Sequence, residues 1–178
     1  TLFPYTTLFR SATSFRWNGI NILDVTDPKN PKKIKWMEGF WVDDSIHDGQ
    51  STPKMQLADG ILVLAHGGTM DVLHGTPKGN THPFWGGISI WDVKTDPENP
   101  KLLSKFHCGG GPGVHRFFYN GGRYIYVTGS CEGYAFFILR IIDIKDPTNP
   151  VEVGRWWADE QFLNNEPGGE LPPFGSKE

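Results

Sequence analysis

The sequence predicts an all-β protein built from repeated four-stranded antiparallel sheets. One motif occurs three times, as an apolar run, an Asp, and a turn containing Asp-Pro and Asn-Pro, at residues 22–31, 90–100 and 141–150. A Gly-rich hairpin signal, Asn120-Gly121-Gly122, precedes the third copy. The chain also holds 22 Gly and 14 Pro, as tight turns between short strands require. Repetition over tens of residues indicates a repeat architecture.

Each copy of the motif predicts a strand, a tight turn and an outer strand. The apolar run is rich in Ile and Val and lacks a helical period, which favours a buried strand. The Asp of Asp-Pro can accept a backbone N–H two residues on, and Pro presets φ near about −65°. The closing Pro has no N–H to donate, so the strand that it opens belongs at a sheet edge.

The predicted strands group into one half unit, residues 17–41, and two whole units, residues 51–106 and 114–157. Their predicted strands are 17–25 and 33–41, then 52–57, 61–65, 87–93 and 102–106, then 114–119, 123–128, 135–144 and 151–157. Four strands per ~40–50 residues is the β-propeller pattern, and the chain would hold about 2.5 blades. The alternative, an open β-sandwich, would not need the same turn at the same place in every unit.

The two ends of the chain are predicted to be irregular. Residues 1–11, TLFPYTTLFRS, look like the translation of a sequencing adapter, so residues 1–16 are expected to be adapter-derived and disordered. Together with the absence of a starting Met, this suggests a metagenomic fragment of a bacterial protein, which leaves its compartment open. Residues 158–178 are expected to form an irregular tail that leads to a missing blade.

The net charge and the lengths of the apolar runs indicate which classes of partner to expect. The net charge is −3 and no Lys/Arg cluster is present, which argues against nucleic acid. No apolar run reaches the ~18–20 residues of a membrane span. The expected partner is a small molecule, a glycan or a protein.

The repeated unit, together with the Gly-Gly-x-Tyr-x-Tyr-Val hairpin at Gly121–Val127, resembles the LVIVD-repeat β-propeller family. The resemblance covers roughly residues 17–157 and implies a full ring of blades, most of which lie outside this chain. The resemblance indicates the fold but not the function, because β-propellers occur in proteins with many different functions. The insertion at residues 66–86 departs from the basic repeat.

The reactive side chains are predicted to lie on one face. In an up-and-down blade, the connections between strands two and three and between blades emerge together, opposite the tight turns. Long loops on one face of a rigid scaffold commonly carry function. That face would hold every His and Cys: His47, His66, His74, His82, His107, His115, Cys108 and Cys131.

His47 and His115 are the candidate metal ligands, because both lie near the start of an innermost strand. Imidazoles from several blades could hold Zn²⁺, Fe²⁺ or Mn²⁺ on the axis. Alternatively, both side chains hydrogen-bond the loop backbone. A metal would make the protein a hydrolase, lyase or oxygenase.

Four further residues are candidates for ligand binding. Arg116 could clamp an anion, Asp48 could orient an imidazole, and Trp41 could stack on a ligand or pack between blades. His66 is expected in a solvated loop or lid.

No catalytic residue is assigned, because no nucleophile elbow or Cys/His nucleophile pair is present. Cys108 and Cys131 are expected to be thiols, although a disulfide between them is conceivable. The favoured hypothesis is a binding scaffold that uses its His-bearing face, and the alternative is the metal-dependent enzyme.

Overall fold

The computed structural model of the protein describes residues 7–11, 19–38, 50–51, 54–68, 85–109, 111 and 113–163. Within these ranges the chain forms β-strands and one short 3-10 turn, so the all-β prediction is confirmed. The strands are β1 (Thr7–Ser11), β2 (Gly19–Asp24), β3 (Lys32–Glu38), β4 (Gln50–Ser51), β5 (Met55–Ala58), β6 (Ile61–Gly68), β7 (Gly87–Asp92), β8 (Lys101–His107), β9 (Val114–Phe118), β10 (Tyr124–Gly129), β11 (Ile138–Asp143) and β12 (Val151–Trp156).

Three antiparallel sheets carry these strands. The first has the order β1-β2-β3, and the third has the order β12-β11-β10-β9. In the second, β4 and β5 both pair with β6, and β7 and β8 follow. The predicted propeller-type blades are thereby confirmed, and the fold is a partial β-propeller.

The structure differs from the prediction at the first sheet. Residues 7–11, expected to be disordered, form β1 and pair with β2 from Thr7–Asp24 to Ser11–Ile20. The first unit therefore has three strands, not two. Pairing with β1 gives the backbone N–H and C=O groups along that edge of β2 their partners and leaves β1 as the edge strand.

Several other strand bounds differ from the predicted ones by one to three residues, and two of these differences bear on the site described below. β6 continues to Gly68, because β4 pairs with its end at Gln50–Gly68. β11 begins at Ile138, whereas the pattern predicted a start at residue 135.

The same β-bulge recurs in all three sheets. In each sheet, the strand before the motif turn (β2, β7 or β11) pairs with the outer strand after it (β3, β8 or β12). The register of this pairing shifts at Ile22/Leu23, at Ile90/Trp91 and at Ile141/Ile142. These are equivalent positions of the motif. A bulge increases local twist, so each sheet twists at the same place.

The motif turns share one set of hydrogen bonds, and those accepted by the Asp of each Asp-Pro are the predicted ones. The first Asp of each turn accepts the backbone N–H two residues on, over 2.9 Å at Asp24 and 2.8 Å at both Asp92 and Asp143. The second Asp does the same, over 3.0 Å at Asp27 and Asp96 and 2.9 Å at Asp146. The prediction of one turn chemistry repeated three times holds.

Alternating side chains give each sheet two packing faces. The back face, which meets the following sheet, carries Ile20 and Ile22 in β2, and the equivalent Ile88 and Ile90 in β7. The front face, which meets the preceding sheet, carries Trp91 and Val93, and the equivalent Ile142 and Ile144.

Two apolar cores lie between the sheets. In the first core, Ile20 and Ile22 pack against Leu62, Leu64 and Val93. In the second, the back face of the second sheet packs against Ile125, Val127, Ile142 and Ile144. Each core therefore joins one back face to the next front face.

Candidate functional site

The connections opposite the motif turns form what we call the loop end of the molecule. It comprises the ends of β6, β8, β10 and β12 and the described residues that follow them. Of the His-bearing loops predicted there, those of His47, His74 and His82 lie outside the described residues, as do Asp48 and Trp41.

His66 is a buried strand residue, so its predicted place in a solvated loop is wrong. Its exposed fraction is 1%, because β6 extends beyond it. Its Nε2 lies 2.7 Å from the Ser89 hydroxyl, which also accepts a 2.8 Å hydrogen bond from Trp91 Nε1. Burial, helped by the charge of Lys105, lowers the pKa of His66 to about 3. The imidazole is therefore neutral at physiological pH. Its assignment to ligand binding stays a prediction.

His115 and Arg116 are exposed at the start of β9, the innermost strand of the third sheet. Arg116 pairs with Thr128 and Val114 with Gly129, so His115 is the extra residue of a bulge. Its ring stacks on Phe137 with centroids 5.6 Å apart. A bulge of this kind re-aims a side chain. Here it leaves one imidazole face on an aromatic ring and the side chain open to solvent.

The metal hypothesis stays a prediction. Among the residues that the structure describes, no group of three or more His, Cys, Asp or Glu side chains is placed to hold an ion. The pairing of His115 with His47 involves a residue beyond the described ranges.

A buried charge network crosses the third sheet. Arg140 on β11 donates from Nε and Nη2 to the two carboxylate oxygens of Glu152 on β12, over 3.0 and 2.9 Å. Arg155 donates to the same oxygens over 2.8 and 2.9 Å. The three side chains are 6–7% exposed. Burial raises the pKa of Glu152, but hydrogen bonds from Arg155 and Arg140 outweigh it and hold the pKa low.

This network also fixes the loop end. Arg140 Nη1 donates to the carbonyl of Ser130 over 2.9 Å, and its guanidinium lies over Phe106 of the second sheet. The Ser130 hydroxyl donates to the Cys108 carbonyl over 3.0 Å and accepts the Gly113 N–H over 3.1 Å. The loop after β8 is thus tied to the loop after β10. Both cysteines are buried as thiols.

The network was missed at the sequence level, although a signal existed. Arg140 interrupts the apolar run Ile138–Ile144 at a position that alternation places inside. A charged residue at such a position predicts a buried partner.

Phe136 is the most unusual residue of the loop end. Its φ is 60°, a region that bulky side chains rarely adopt. Its side chain is 82% exposed. The backbone on both sides is held by Gln161, whose carbonyl accepts the Ala135 N–H over 2.7 Å and whose Nε2 donates to the Phe137 carbonyl over 2.8 Å. The loop therefore has a defined conformation in which Phe136 projects outward.

An aromatic cluster joins this loop to the segment that follows β12. Tyr134 packs against Trp157 and Phe162 with ring centroids 5.2 and 5.5 Å apart. Leu163 N–H donates to the Gly133 carbonyl over 3.0 Å. Neither Phe136 nor Gln161 was selected at the sequence level. Residues 135–137 were assigned to a strand, and the segment after residue 157 showed no periodic pattern.

The third sheet matches a known family model. Residues 121–157 match the family model described as LVIVD repeat. The matched segment contains β10, β11 and β12 with the third motif turn, which confirms the predicted resemblance over that range. A search of curated proteins gave no match to the chain. In the part of the chain that the structure describes, no helix is both long and apolar enough to cross a membrane.

Proposed function

We propose that the protein is a binding scaffold that engages a partner protein through the loop end of its third sheet. The observation that carries the proposal is Phe136, an aromatic residue held at positive φ and exposed to solvent. The propeller-type sheets supply the rigid support, and the loop supplies the contact.

The energetics of Phe136 support a binding role. A bulky residue at positive φ costs about 1–3 kcal/mol and persists only where its surroundings enforce it. Here Gln161 enforces it from both sides of the residue. An exposed ring regains little of this cost by burial in the folded chain. A contact with a partner would recover apolar burial of about 25 cal/mol per Å².

The shape of the site favours a protein partner over a small molecule or a glycan. A projecting ring cannot enclose a small ligand, whereas it can fill a recess on another protein, as aromatic hot-spot residues do. Exposed carboxylates lie in the same segments, namely Glu132 in the loop and Asp159 and Glu160 beside Gln161. The matching surface is therefore an apolar recess with a basic rim.

The test is a peptide selection with a strain-releasing variant. A random peptide library displayed on phage is selected on the wild-type chain and counter-selected on Phe136→Gly. Synthetic versions of the enriched peptides are then titrated by calorimetry. We expect the variant to weaken their binding at least about 10-fold, or 1.4 kcal/mol. We also expect it to raise the free energy of unfolding by about 1 kcal/mol, because Gly adopts positive φ readily.

The matched control is Phe118→Ala, which removes another exposed aromatic ring, 52% exposed on β9. We expect it to leave peptide binding unchanged. Equal binding to wild type and Phe136→Gly, or no enrichment over the counter-selection, would contradict the proposal.

A further inference from the structure

Two cysteines from two different loops lie close to one buried guanidinium. Cys108 follows β8 and Cys131 follows β10, and their exposed fractions are 1% and 3%. Both are thiols in the structure. The guanidinium is that of Arg140, whose Nη1 donates over 2.9 Å to the carbonyl of the peptide bond that joins Ser130 to Cys131. The two sulfur atoms are therefore buried beside a positive charge that is fixed in place.

The electrostatic coupling between these groups distinguishes the two thiols. Burial alone would lower the pKa of Arg140, but hydrogen bonds to Glu152 raise it, and the negative charges that Cys108 and Cys131 carry when ionised raise it further. The pKa of Arg155 is raised first by hydrogen bonds to Glu152 and also by the charge of ionised Cys131. Because such coupling acts equally in both directions, each guanidinium favours the thiolate form of a nearby cysteine. Within the described part of the chain, Cys131 is thus coupled to two guanidiniums and Cys108 to one.

The surroundings of the two sulfur atoms differ in the same sense. Cys108 belongs to the apolar core between the second and third sheets, and apolar surroundings oppose the ionisation of a thiol. Cys131 belongs to the cluster of Tyr134, which also hydrogen-bonds the Arg155 side chain. Glu152 opposes a further negative charge here, but two guanidiniums of the network outnumber its one carboxylate. Cys131 is therefore the cysteine whose ionised form the fold favours.

We propose that Cys131 is a thiolate in the folded protein and a modification site for small peroxides. The sulfur atom attacks one oxygen of hydrogen peroxide, so that an S–O bond forms and the O–O bond breaks. Hydroxide leaves with the electron pair of the broken bond and takes up a proton from solvent to become water. The sulfur is oxidised to a sulfenic acid, and the peroxide is reduced. This inference does not rest on Phe136 or on the proposed binding function.

Cys131 also lies where a small opening of the chain admits a peroxide. Its carbonyl accepts the Tyr134 N–H over 3.2 Å, so Cys131 begins a tight turn. The next residue, Glu132, is exposed. Local opening of a loop costs less free energy than global unfolding. Cys108 lacks this advantage, because its Sγ lies in the core, 3.2 Å from the place that a Cβ on Gly129 would take.

The first test follows the ultraviolet absorbance of the thiolate as pH is raised. We expect wild type to form one thiolate with a midpoint below about pH 7.5, whereas an unperturbed cysteine ionises at about 8.5. This step should be absent from Cys131→Ser and present in Cys108→Ser. Arg155→Gln removes one of the two guanidiniums and should raise the midpoint by about one pH unit, while Arg155→Lys keeps the charge and most of the effect.

The second test compares the two single-cysteine proteins in hydrogen peroxide. A dione probe traps the sulfenic acid, and peptide mass spectrometry measures the labelled fraction over time. We expect Cys108→Ser, which retains Cys131, to be labelled at least about 10-fold faster than Cys131→Ser, which retains Cys108. Removing one cysteine also prevents a disulfide between the two from consuming the sulfenic acid. Circular dichroism checks that each variant is folded.

Three results would overturn the proposal. The first is a wild-type titration whose earliest midpoint lies at about 8.5 or above. The second is peroxide labelling of Cys108 at a rate equal to or above that of Cys131. The third is an equal midpoint in Arg155→Gln and Arg155→Lys, which decides the matter even where Cys131→Ser does not fold.

Discussion

The two ends of the sheets are built in opposite ways. At the turn end, the first Asp side chain of each motif turn accepts the backbone N–H two residues on, in an exposed position, and this arrangement occurs three times. At the loop end, buried side chains bridge residues that are distant in sequence, such as His66 with Ser89 and Arg140 with Glu152. Among the described residues, each of these bridges occurs once.

This difference teaches where the repeat specifies structure and where it does not. The turn end sets strand direction and register through local chemistry that any copy can reproduce. The loop end depends on side chains that belong to one sheet. It is therefore the end at which the sheets differ from one another, and the end at which substitutions should cost most.

The sharpest test of this comparison is Glu152→Gln. It removes the shared carboxylate and leaves Arg140 and Arg155 buried without their counter-charge. Breaking a buried ion pair on one side costs about 3–5 kcal/mol, and we expect that loss in the free energy of unfolding by urea. Glu98→Gln, on an exposed motif turn, should change it by less than about 0.5 kcal/mol. Similar small losses for both variants would contradict the contrast between the two ends.

The next largest expected effect is a pH dependence of the free energy of unfolding, caused by His66. Its pKa is about 3 in the folded chain and about 6.5 when unfolded. The unfolded chain therefore takes up the proton first, and stability falls as pH drops from 6.5 toward 3. Between pH 7.5 and 4.5 the loss should be about 2–3 kcal/mol. Urea titrations of wild type and His66→Gln measure it, and an equal pH dependence in both would exclude His66 as the cause.

A smaller effect is expected at the turn end from Asp92→Ala. The carboxylate of Asp92 accepts N–H groups from Lys94 and Thr95 and the Thr95 hydroxyl. Because the site is mostly exposed, water replaces part of the lost hydrogen bonding. We expect the free energy of unfolding to fall by about 0.5–1.5 kcal/mol. Asp92→Asn, which keeps an acceptor oxygen, should recover part of it. A cost above that of Glu152→Gln would reverse the comparison.

The smallest effect on stability is expected from His115→Ala. The side chain is exposed, so the free energy of unfolding should change by less than about 0.5 kcal/mol. The same variant tests the hypothesis of a Zn, Fe or Mn site. Mass spectrometry of metal content should show about one ion per chain in wild type and none in the variant if His115 is a ligand. Equal metal content in the two proteins would exclude that role.

The sequence predicted the parts of the molecule that depend on local chemistry. The strands that flank each motif turn and the hydrogen bonds of the motif Asp residues follow from residues close in sequence. The position of His66 could not be predicted, because it depends on the pairing of His66 with Gly87 at the start of β7, which is distant in sequence. The conformation of Phe136 depends on Gln161, which joins the loop from beyond β12. Such partners are distant in sequence and come together only in the folded chain.

The recurring bulge in the outer half of each sheet has a mechanical consequence. A bulge leaves one residue out of the hydrogen-bond ladder, so the outer strand is joined to its neighbour by an interrupted ladder. Under a pulling force applied at the outer strand, separation should begin at that interruption rather than at the strand end. All three sheets carry it at the same motif position. The molecule would then yield in similar steps, one outer strand at a time, while its inner strands stay paired.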